Sequence, residues 1–523
     1  MTSTFHGLET ALRGLRAQQY SLQTINHNVA NANTPGYTRQ RVNLVATDGF
    51  PSVGRNRPLI PGHMGTGVEG TDVQRVRNAF LDQRFRTEYT KTTYWGNRYD
   101  SLSRLEGLMN EPSEDGLAST FNEFWDSMQV LATNGENLGA RSVVRQKGMA
   151  LANTFNYLHD SIVEYQNQAK EEIQQTTFDI NSILTRINQI NQEIGKIEPH
   201  GDVPNGLYDQ RDMLVDELSS LVNIKTELIQ PGANASEVAE GKMSIEIVQD
   251  SGLSYDPPIV LLNGKTNSTQ EMEVQFSDSE QAATGFSVGD KSYSFNGQAD
   301  VAIPMGTLKA KIESFGFEIG GQVKGIYPDM LAELDRMAFT FATAFNEQHE
   351  KGQTLTEING GTVGADNPFF VGDNNQMPAT MKGFAGQITV SEEIMNDYNL
   401  IAAASPGNDI GSGDGGNAQA LADLMKADLD FGNGVEASFT DYYEKMIGDM
   451  GTTTKESQTL LENAELALLT VDQGRQSISG VLLDEEITNM VKFQHAYNAA
   501  ARSMTTVDEM LDRIINGMGR VGR

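Results

Sequence analysis

Both ends of this 523-residue chain space their apolar side chains in the same way, and that spacing restricts the fold more than any other feature. Positions 5, 8, 12, 15, 19, 22, 26 and 29 alternate steps of three and four: Phe5, Leu8, Leu12, Leu15, Gln19, Leu22, Asn26 and Val29. Such stepping draws one narrow stripe along a helix, the seam of a coiled coil. Asn31, Asn33, Pro35 and Gly36 predict its end, because Pro35 drives Thr34 out of the helical region and Gly36 takes a positive φ at little cost. From Leu483 the stepping returns through Ile487, Met490, Gln494, Tyr497, Ala501, Met504, Asp508, Leu511, Ile515 and Met518, with only Gln494 and Asp508 polar. Two narrow seams invite pairing with each other. Separate docking of each on the body is the alternative, and an ordinary amphipathic helix and turn is the plainest reading of the first.

Between the two ends, periodicity divides the chain. Residues 39–72 alternate short β-like runs such as Arg41-Val-Asn-Leu-Val45 with Gly and Pro, as in an extended linker with brief strands. Helical spacing over 73–230, 322–352 and 413–480 predicts a discontinuous helical-bundle body. Its longest helix starts near Asn137 and keeps a seam through Ile173, Ile180, Leu184, Ile187, Ile190, Ile194 and Ile197, with Asn, Gln and Thr filling the outside. The following helix is its expected neighbour, through Leu207, Leu214, Leu218 and Leu221. A period of two over 243–248, 259–262, 273–276 and 293–295 predicts an inserted β domain spanning 231–321. Residues 353–412 read as a second, irregular β excursion with one clear strand at 386–390. The expected fold is mainly α with inserted β domains: a discontinuous, elongated, multidomain chain with terminal coiled-coil helices at 1–38 and 481–523.

Composition narrows the function. Hydrophobic residues make up 38% of the chain, and no apolar run approaches the roughly 20 residues of a membrane span, so no membrane partner is expected. The start Met1-Thr-Ser-Thr-Phe-His-Gly7 lacks the basic opening and apolar core of a cleaved secretory signal. Cysteine is absent, which excludes disulfides, thiolate nucleophiles and Cys-ligated metals. The net charge of −31 is uneven: residues 1–105 hold 13 basic groups against 7 acidic. An acidic bulk argues against a nucleic-acid partner, since phosphate binding draws on clustered cations. Arg39, Arg41, Arg55, Arg57, Arg75 and Arg77 suit the acidic faces of neighbouring subunits or, taken singly, solvated surface.

Catalytic and cofactor motifs are weak. Gly411-Ser-Gly-Asp-Gly-Gly416 fits G-x-G-x-x-G, but no buried strand precedes it and Asp409 and Asp414 would repel a pyrophosphate. Asn263-Gly-Lys-Thr266 imitates a P-loop ending with Ile259 where the first glycine is needed, and reads as a hairpin turn. His349-Glu350 has no second His four residues on, so a zinc-peptidase reading fails; Asn346 and His349 are expected to cap a helix end. Asp209, Arg211 and Asp212 read as a helix's first turn with acids near its positive end. No catalytic, cofactor or metal residue is expected.

Asn28-Val-Ala-Asn-Ala-Asn-Thr-Pro-Gly-Tyr37 resembles the N-terminal signature of the bacterial flagellar rod, hook and hook-associated proteins, and residues 483–511, with Leu483-Asp-Glu-Glu486 and Lys492-Phe-Gln-His-Ala-Tyr-Asn-Ala-Ala-Ala-Arg502, resemble their C-terminal one. Residues 209–218, Glu111-Pro-Ser113, and Gly320-Gly-Gln-Val-Lys-Gly325 with Asn346–Gly352 narrow the resemblance to the branch that joins hook to filament. The resemblance implies a non-enzymatic axial component, exported through the flagellar type III channel without a cleaved signal and located outside the cell. Its terminal helices would line the inner tube beside those of sister copies, ordering fully only on assembly. Implied partners are other copies of itself, hook protein, a second junction protein, and an export chaperone at the C-terminal helix. The expected interface is Leu8, Leu12, Leu15, Leu22, Asn28, Val29, Asn31, Pro35, Gly36 and Tyr37 with Leu483, Ile487, Met490, Tyr497, Ala501, Met504 and Leu511. Other readings are a hook or rod component, or a secreted enzyme on flagellar ends with the β insertions as its catalytic part.

Overall fold

The structure, a computed structural model, describes residues 5–50, 64–109, 116–232, 234–278, 281–295, 303–363, 367–407, 411–432 and 434–517. The chain opens with α1 (Phe5–Ala30), β1 (Gln40–Ala46) and β2 (Val68–Arg75), then runs through α2 (Ala79–Met109), α3 (Leu117–Thr133), the 60-residue α4 (Leu138–Ile197) and α5 (Asn205–Leu221). Strands follow: β3 (Ile224–Ile229), β4 (Lys242–Val248), β5 (Ser254–Asn263), β6 (Ser268–Thr269), β7 (Met272–Phe276), β8 (Ala283–Val288) and β9 (Lys291–Ser294). Next come α6 (Thr307–Phe315), β10 (Phe317–Ile319), β11 (Gln322–Lys324), α7 (Ile326–His349), α8 (Leu355–Ile358), β12 (Phe370–Val371), β13 (Thr389–Val390), α9 (Glu392–Asn396) and α10 (Gly416–Leu424). The chain closes with β14 (Leu429–Asp430), β15 (Glu436–Ala437), α11 (Phe439–Ser479) and α12 (Leu483–Gly517). The fold is mainly α with inserted β sheets, as the periodicities predict. The Glu111-Pro112-Ser113 stop lies outside the described residues.

Packing gathers the chain into two compact units. The first holds Met1–Thr92, Phe178–Met272 and Ala464–Arg523, and the second Thr93–Thr177 and Glu273–Asn463. These divisions follow side-chain burial rather than composition, so the strand-rich stretch expected as one domain at 231–321 contributes to two sheets. The order β3-β4-β5-β6 makes a four-stranded antiparallel sheet, and a five-stranded sheet follows β11-β10-β8-β7 with β9 on β8. The stretch expected as a linker over 39–72 carries β1 and most of β2, paired antiparallel from Gln40 opposite Arg75 to Ala46 opposite Val68.

In the first unit, the polar residues of α4 do not fill its outside. Asn191, fully buried, donates from Nδ2 to Met243 O at 2.8 Å and accepts from Met243 N at 3.1 Å. Asn181 makes the same two-way bond with Met272, at 2.8 Å each way. A carboxamide reproduces the donor and acceptor of a peptide group, so these side chains satisfy strand backbone that a wholly apolar helix would leave unpaired. The isoleucines Ile180, Ile187 and Ile194 are buried as the seam predicts.

The second unit is built around phenylalanine. Phe121 of α3 stacks on Phe439 of α11 with ring centroids 3.8 Å apart, and Phe341 of α7 meets both at an edge. Phe124, Phe345, Phe369 and Phe370 continue the cluster, each fully buried. The excursion over 353–412 is fixed to it by α7. Asn346 Nδ2 donates to Phe370 O at 2.7 Å while its Oδ1 accepts from the amides of Phe369 and Phe370. Asn346 and His349 therefore do not cap their own helix, the expected role; they bind a neighbouring segment whose irregular backbone needs partners. The single strand expected at 386–390 is shortened to β13, paired with β12.

Candidate assembly site

Helix α1 packs against α12 and also against β1 and β2. Having two partners moves its buried line away from the expected stripe. Ala17, Ser21, Ile25 and Asn28 are the buried residues, whereas Leu8, Leu12, Leu15, Leu22 and Val29 are half-buried and Gln19 and Asn26 exposed. On α12, Met490, Tyr497, Ala501, Met504 and Leu511 are half-buried, and Leu483 and Ile487 stand 47% and 52% exposed. The pairing of the two terminal helices is real in the structure, but their apolar surface is only partly covered by it. Gln494 and Asp508, the polar interruptions, are exposed.

The signature loop divides into an inward and an outward part. Asn28, 1% exposed in the last turn of α1, satisfies all its polar capacity. Its Oδ1 accepts from the Tyr37 hydroxyl at 2.7 Å and from Gln40 N at 3.0 Å. Its Nδ2 donates to Gln40 O at 2.9 Å and to Glu486 Oε2, in the first turn of α12, at 3.1 Å. Since Tyr37 gives its one proton to Asn28, the His27 ring must donate from Nδ1 to the phenol oxygen, 2.9 Å away. Burial, then the charges of Asp209 and Glu486, push the Tyr37 phenol up, so it remains a donor. Outside this core, Asn33, Thr34, Pro35 and Gly36 are exposed and Asn31 half-buried. Gly36 has φ +76°, as the turn requires, and leans on Met213 of α5. The ridge of Pro35, Gly36 and Tyr37 borders two cavities, of about 460 and 750 Å³.

Below the loop lies an ionic cluster that sequence spacing concealed. Asp209, Asp212 and Asp216 step by three and four, so α5 presents three carboxylates on one face. Arg75 NH1 reaches Asp209 and Asp212 at 2.8 Å each and its NH2 pairs with Glu240. Arg77 bridges Asp82 at 2.7 Å and Asp212 at 2.5 Å, Arg86 binds Asp216 at 2.7 Å, and Arg475 of α11 binds Asp216 at 2.6 Å. Arg211, fully buried, pairs with Glu240 and donates to Gly241 O. Burial alone would raise the Asp212 carboxyl, but Arg77, Arg75, Arg211 and Arg86 outweigh it and hold it well below the usual carboxylate range. Arg75 and Arg77 are therefore internal partners, not contacts for another subunit, and the acids of α5 serve these arginines rather than a helix dipole. The loop is tied to this cluster by Thr38 N, which donates to Asp209 Oδ2 at 3.3 Å. Arg39 continues the tie through Glu485 of α12 at 2.6 Å and through Ser479 O at 2.8 Å.

Glu486, Glu485 and Ile25 were not singled out by the sequence. The acids of Asp484-Glu-Glu486 are legible there only as favourable charges at a helix start. The weak motifs are closed by their own chain. Asp414 Oδ1 accepts from Ser405 N and Gly416 N at 2.9 and 2.8 Å, occupying the amides a phosphate would need. Asn263 Oδ1 accepts from Lys265 N and Thr266 N in the turn after β5. Among the described residues no cluster of potential metal ligands occurs, and no helix is long and apolar enough to cross a membrane.

A family model for the FlgK flagellar hook-associated protein helical domain matches residues 102–370. The signature loop and α1 fall in a flagella basal body rod protein model over 8–38, and α12 in the FlgEFG rod protein C-terminal model over 472–517. Flagellar hook-associated protein 1 of Bacillus subtilis is 44% identical over 530 residues, covering 100% of both chains. The chain belongs to the flagellar hook-associated protein 1 family. The Escherichia coli hook-associated protein 1 is 26% identical, spanning 97% of this chain and 99% of its own. The flagellar hook junction protein FlgK of Burkholderia pseudomallei shares the fold, with TM-score 0.57 at 14% identity over 76% of this chain and 100% of that one. In this family the role is structural, at the junction of flagellar hook and filament. The clamp at Asn28 and the apolar surfaces of α1 and α12 lie within the segments matched by the rod models.

Proposed function

We propose that this member of the hook-associated protein 1 family builds its junction by self-assembly through α1 and α12, whose uncovered surfaces meet those of sister copies. The observation that carries this is the exposure of Leu483, Ile487 and Val491 along one side of α12 while the opposite side already packs on α1. Apolar side chains at three- and four-residue steps gain about 1.5 to 3 kcal/mol each on full burial, and a second layer of helices supplies that burial. Leu8, Leu12, Leu15, Leu22 and Val29, half-buried on α1, complete the surface, and Asn31, Pro35 and Gly36 offer an exposed ridge beside it. Hook protein on one side and a second junction protein on the other are the neighbours this role requires. The chain works outside the cell, exported without a cleaved signal, with an export chaperone covering the C-terminal helix beforehand. Its work is mechanical rather than catalytic.

Ile487→Asp tests the reading, because the side chain already faces water in the free chain. Its melting temperature is expected to stay within about 2 °C of the parent, corresponding to less than about 0.5 kcal/mol, while incorporation at hook tips is lost. Strong destabilisation of the free chain, or normal incorporation, rejects the proposal. Deleting the gene is expected to leave bare hooks with filament protein in the medium; normal filaments reject the junction role.

A further inference from the structure

We propose that Asn28, Tyr37 and Glu486 form an intramolecular clamp that fixes the register of α1 against α12 in the free chain, before any second copy binds. Leucines at three- and four-residue steps specify a helix pair's register poorly, because a slip of one heptad brings apolar residues opposite apolar residues again. A single buried polar residue removes that degeneracy, since only one register gives it partners.

Two independent contacts define the register. Asn28 meets Glu486 at one end of the pair, and a Cβ at Gly7 would lie 3.7 Å from Cγ2 of Val507 at the other. The contacts are 21 residues apart along each helix, or three heptads, so the two helices run antiparallel without a slip between them. Moving α12 by one heptad would set Asn28 against Phe493 or Ser479 and leave a buried amide unpaired. Glu486 would be stranded as well, and it is 3% exposed. The rest of the site reinforces the choice. Tyr37 and Gln40 hold the other two faces of the Asn28 amide, and Arg39 reaches the neighbouring Glu485. Half of the signature thus works inward on its own chain. The inference rests on the assembly reading for its consequence: subunits whose terminal pairs differed in register would present different surfaces to one another.

The chain has no cysteine, so an engineered pair reads the register without background. In the purified full-length chain, dilute and monomeric, Gly7→Cys with Val507→Cys is expected to form a disulfide under oxidised glutathione. Gly7→Cys with Ala500→Cys or Ile514→Cys, one heptad away, is expected not to. Adding Asn28→Asp keeps the shape but turns a donor into a carboxylate facing Glu486, and should lower the yield of the 7–507 bond about tenfold. Adding Glu486→Gln to that variant restores a donor opposite the acceptor and should return the yield to within about twofold of the parent. Absence of the 7–507 bond in the parent background, an unchanged yield with Asn28→Asp, or no recovery with Glu486→Gln overturns the clamp. Incorporation at hook tips is scored separately on the cysteine-free variants. A variant with native register that fails to incorporate counts against the assembly reading, and register loss in the free chain supports the clamp whatever happens at the hook.

Discussion

A phenylalanine cluster holds the second unit together, while the first relies on buried ion pairs, side-chain amides and a helix pair only half covered. Their charges differ too: the second unit carries 41 acidic against 16 basic side chains, the first 29 against 23. An aromatic core is complete within one chain and tolerates a strongly acidic surface around it. The first unit keeps nearly balanced charge and leaves apolar residues in water. Completeness in one unit and incompleteness in the other is the division of labour an assembling subunit needs, because a site awaiting neighbours must stand on something that does not.

The sharpest way to break this contrast is Phe341→Ala. It empties the centre of the aromatic cluster and is expected to cost about 3 to 5 kcal/mol. Both tryptophans, Trp95 and Trp125, lie in the second unit, so the midpoint of urea unfolding followed by tryptophan fluorescence reads that unit. An unchanged midpoint would mean the cluster is not what holds it.

Asp212→Ala asks the same of the first unit. It leaves Arg75, Arg77 and Arg86 with fewer counter-charges in a buried site, and the expected cost is about 3 kcal/mol. Hydrogen exchange in α5 and β2 should accelerate while tryptophan fluorescence unfolds nearly as before. Equal loss in both probes would dissolve the distinction between the units.

Acid separates them further. His349 is buried, accepts from Ala402 N at 2.9 Å on Nε2 and so donates from Nδ1 to Asn367 O; burial, with help from Arg141, lowers it to about 4. Below pH 6.5 the unfolded chain takes up a proton there that the folded chain refuses, so stability is full above that pH and declines as pH falls toward 4. The loss approaches about 3 kcal/mol. Asp335 and Asp329, raised by burial, oppose it at the lower end. In the first unit, Asp212 holds its charge to lower pH. Fluorescence-detected unfolding should therefore weaken between pH 6.5 and 4, and His349→Gln should flatten that slope; a slope that survives the substitution places the sensitivity elsewhere.

Asn181→Ala has the smallest expected effect, about 1 to 2 kcal/mol, from leaving Met272 N and O without partners. Faster exchange confined to the β7 end of α4 would sharpen the view that amides join helix to sheet in the first unit.

The terminal stripes, the loop that stops α1 and the helix–strand alternation were legible because they are local: hydrophobic period, proline and glycine act within a few residues. Both flagellar signatures were legible for the same reason, as contiguous strings. The position of the buried line on α1 was not, since it depends on a hairpin formed by residues up to Arg75. Neither was the split of the strand-rich stretch into two sheets, which turns on which face of a strand finds apolar cover. The sequence alone thus determined a long-helical chain with two apolar-seamed ends. Tertiary structure decided what its polar residues do. Arg75 and Asp212 lie more than a hundred positions apart, and Asn28 meets Glu486 across almost the whole chain. An ion pair or a buried amide carries no periodicity, so its partner is known only once folding has brought the two together.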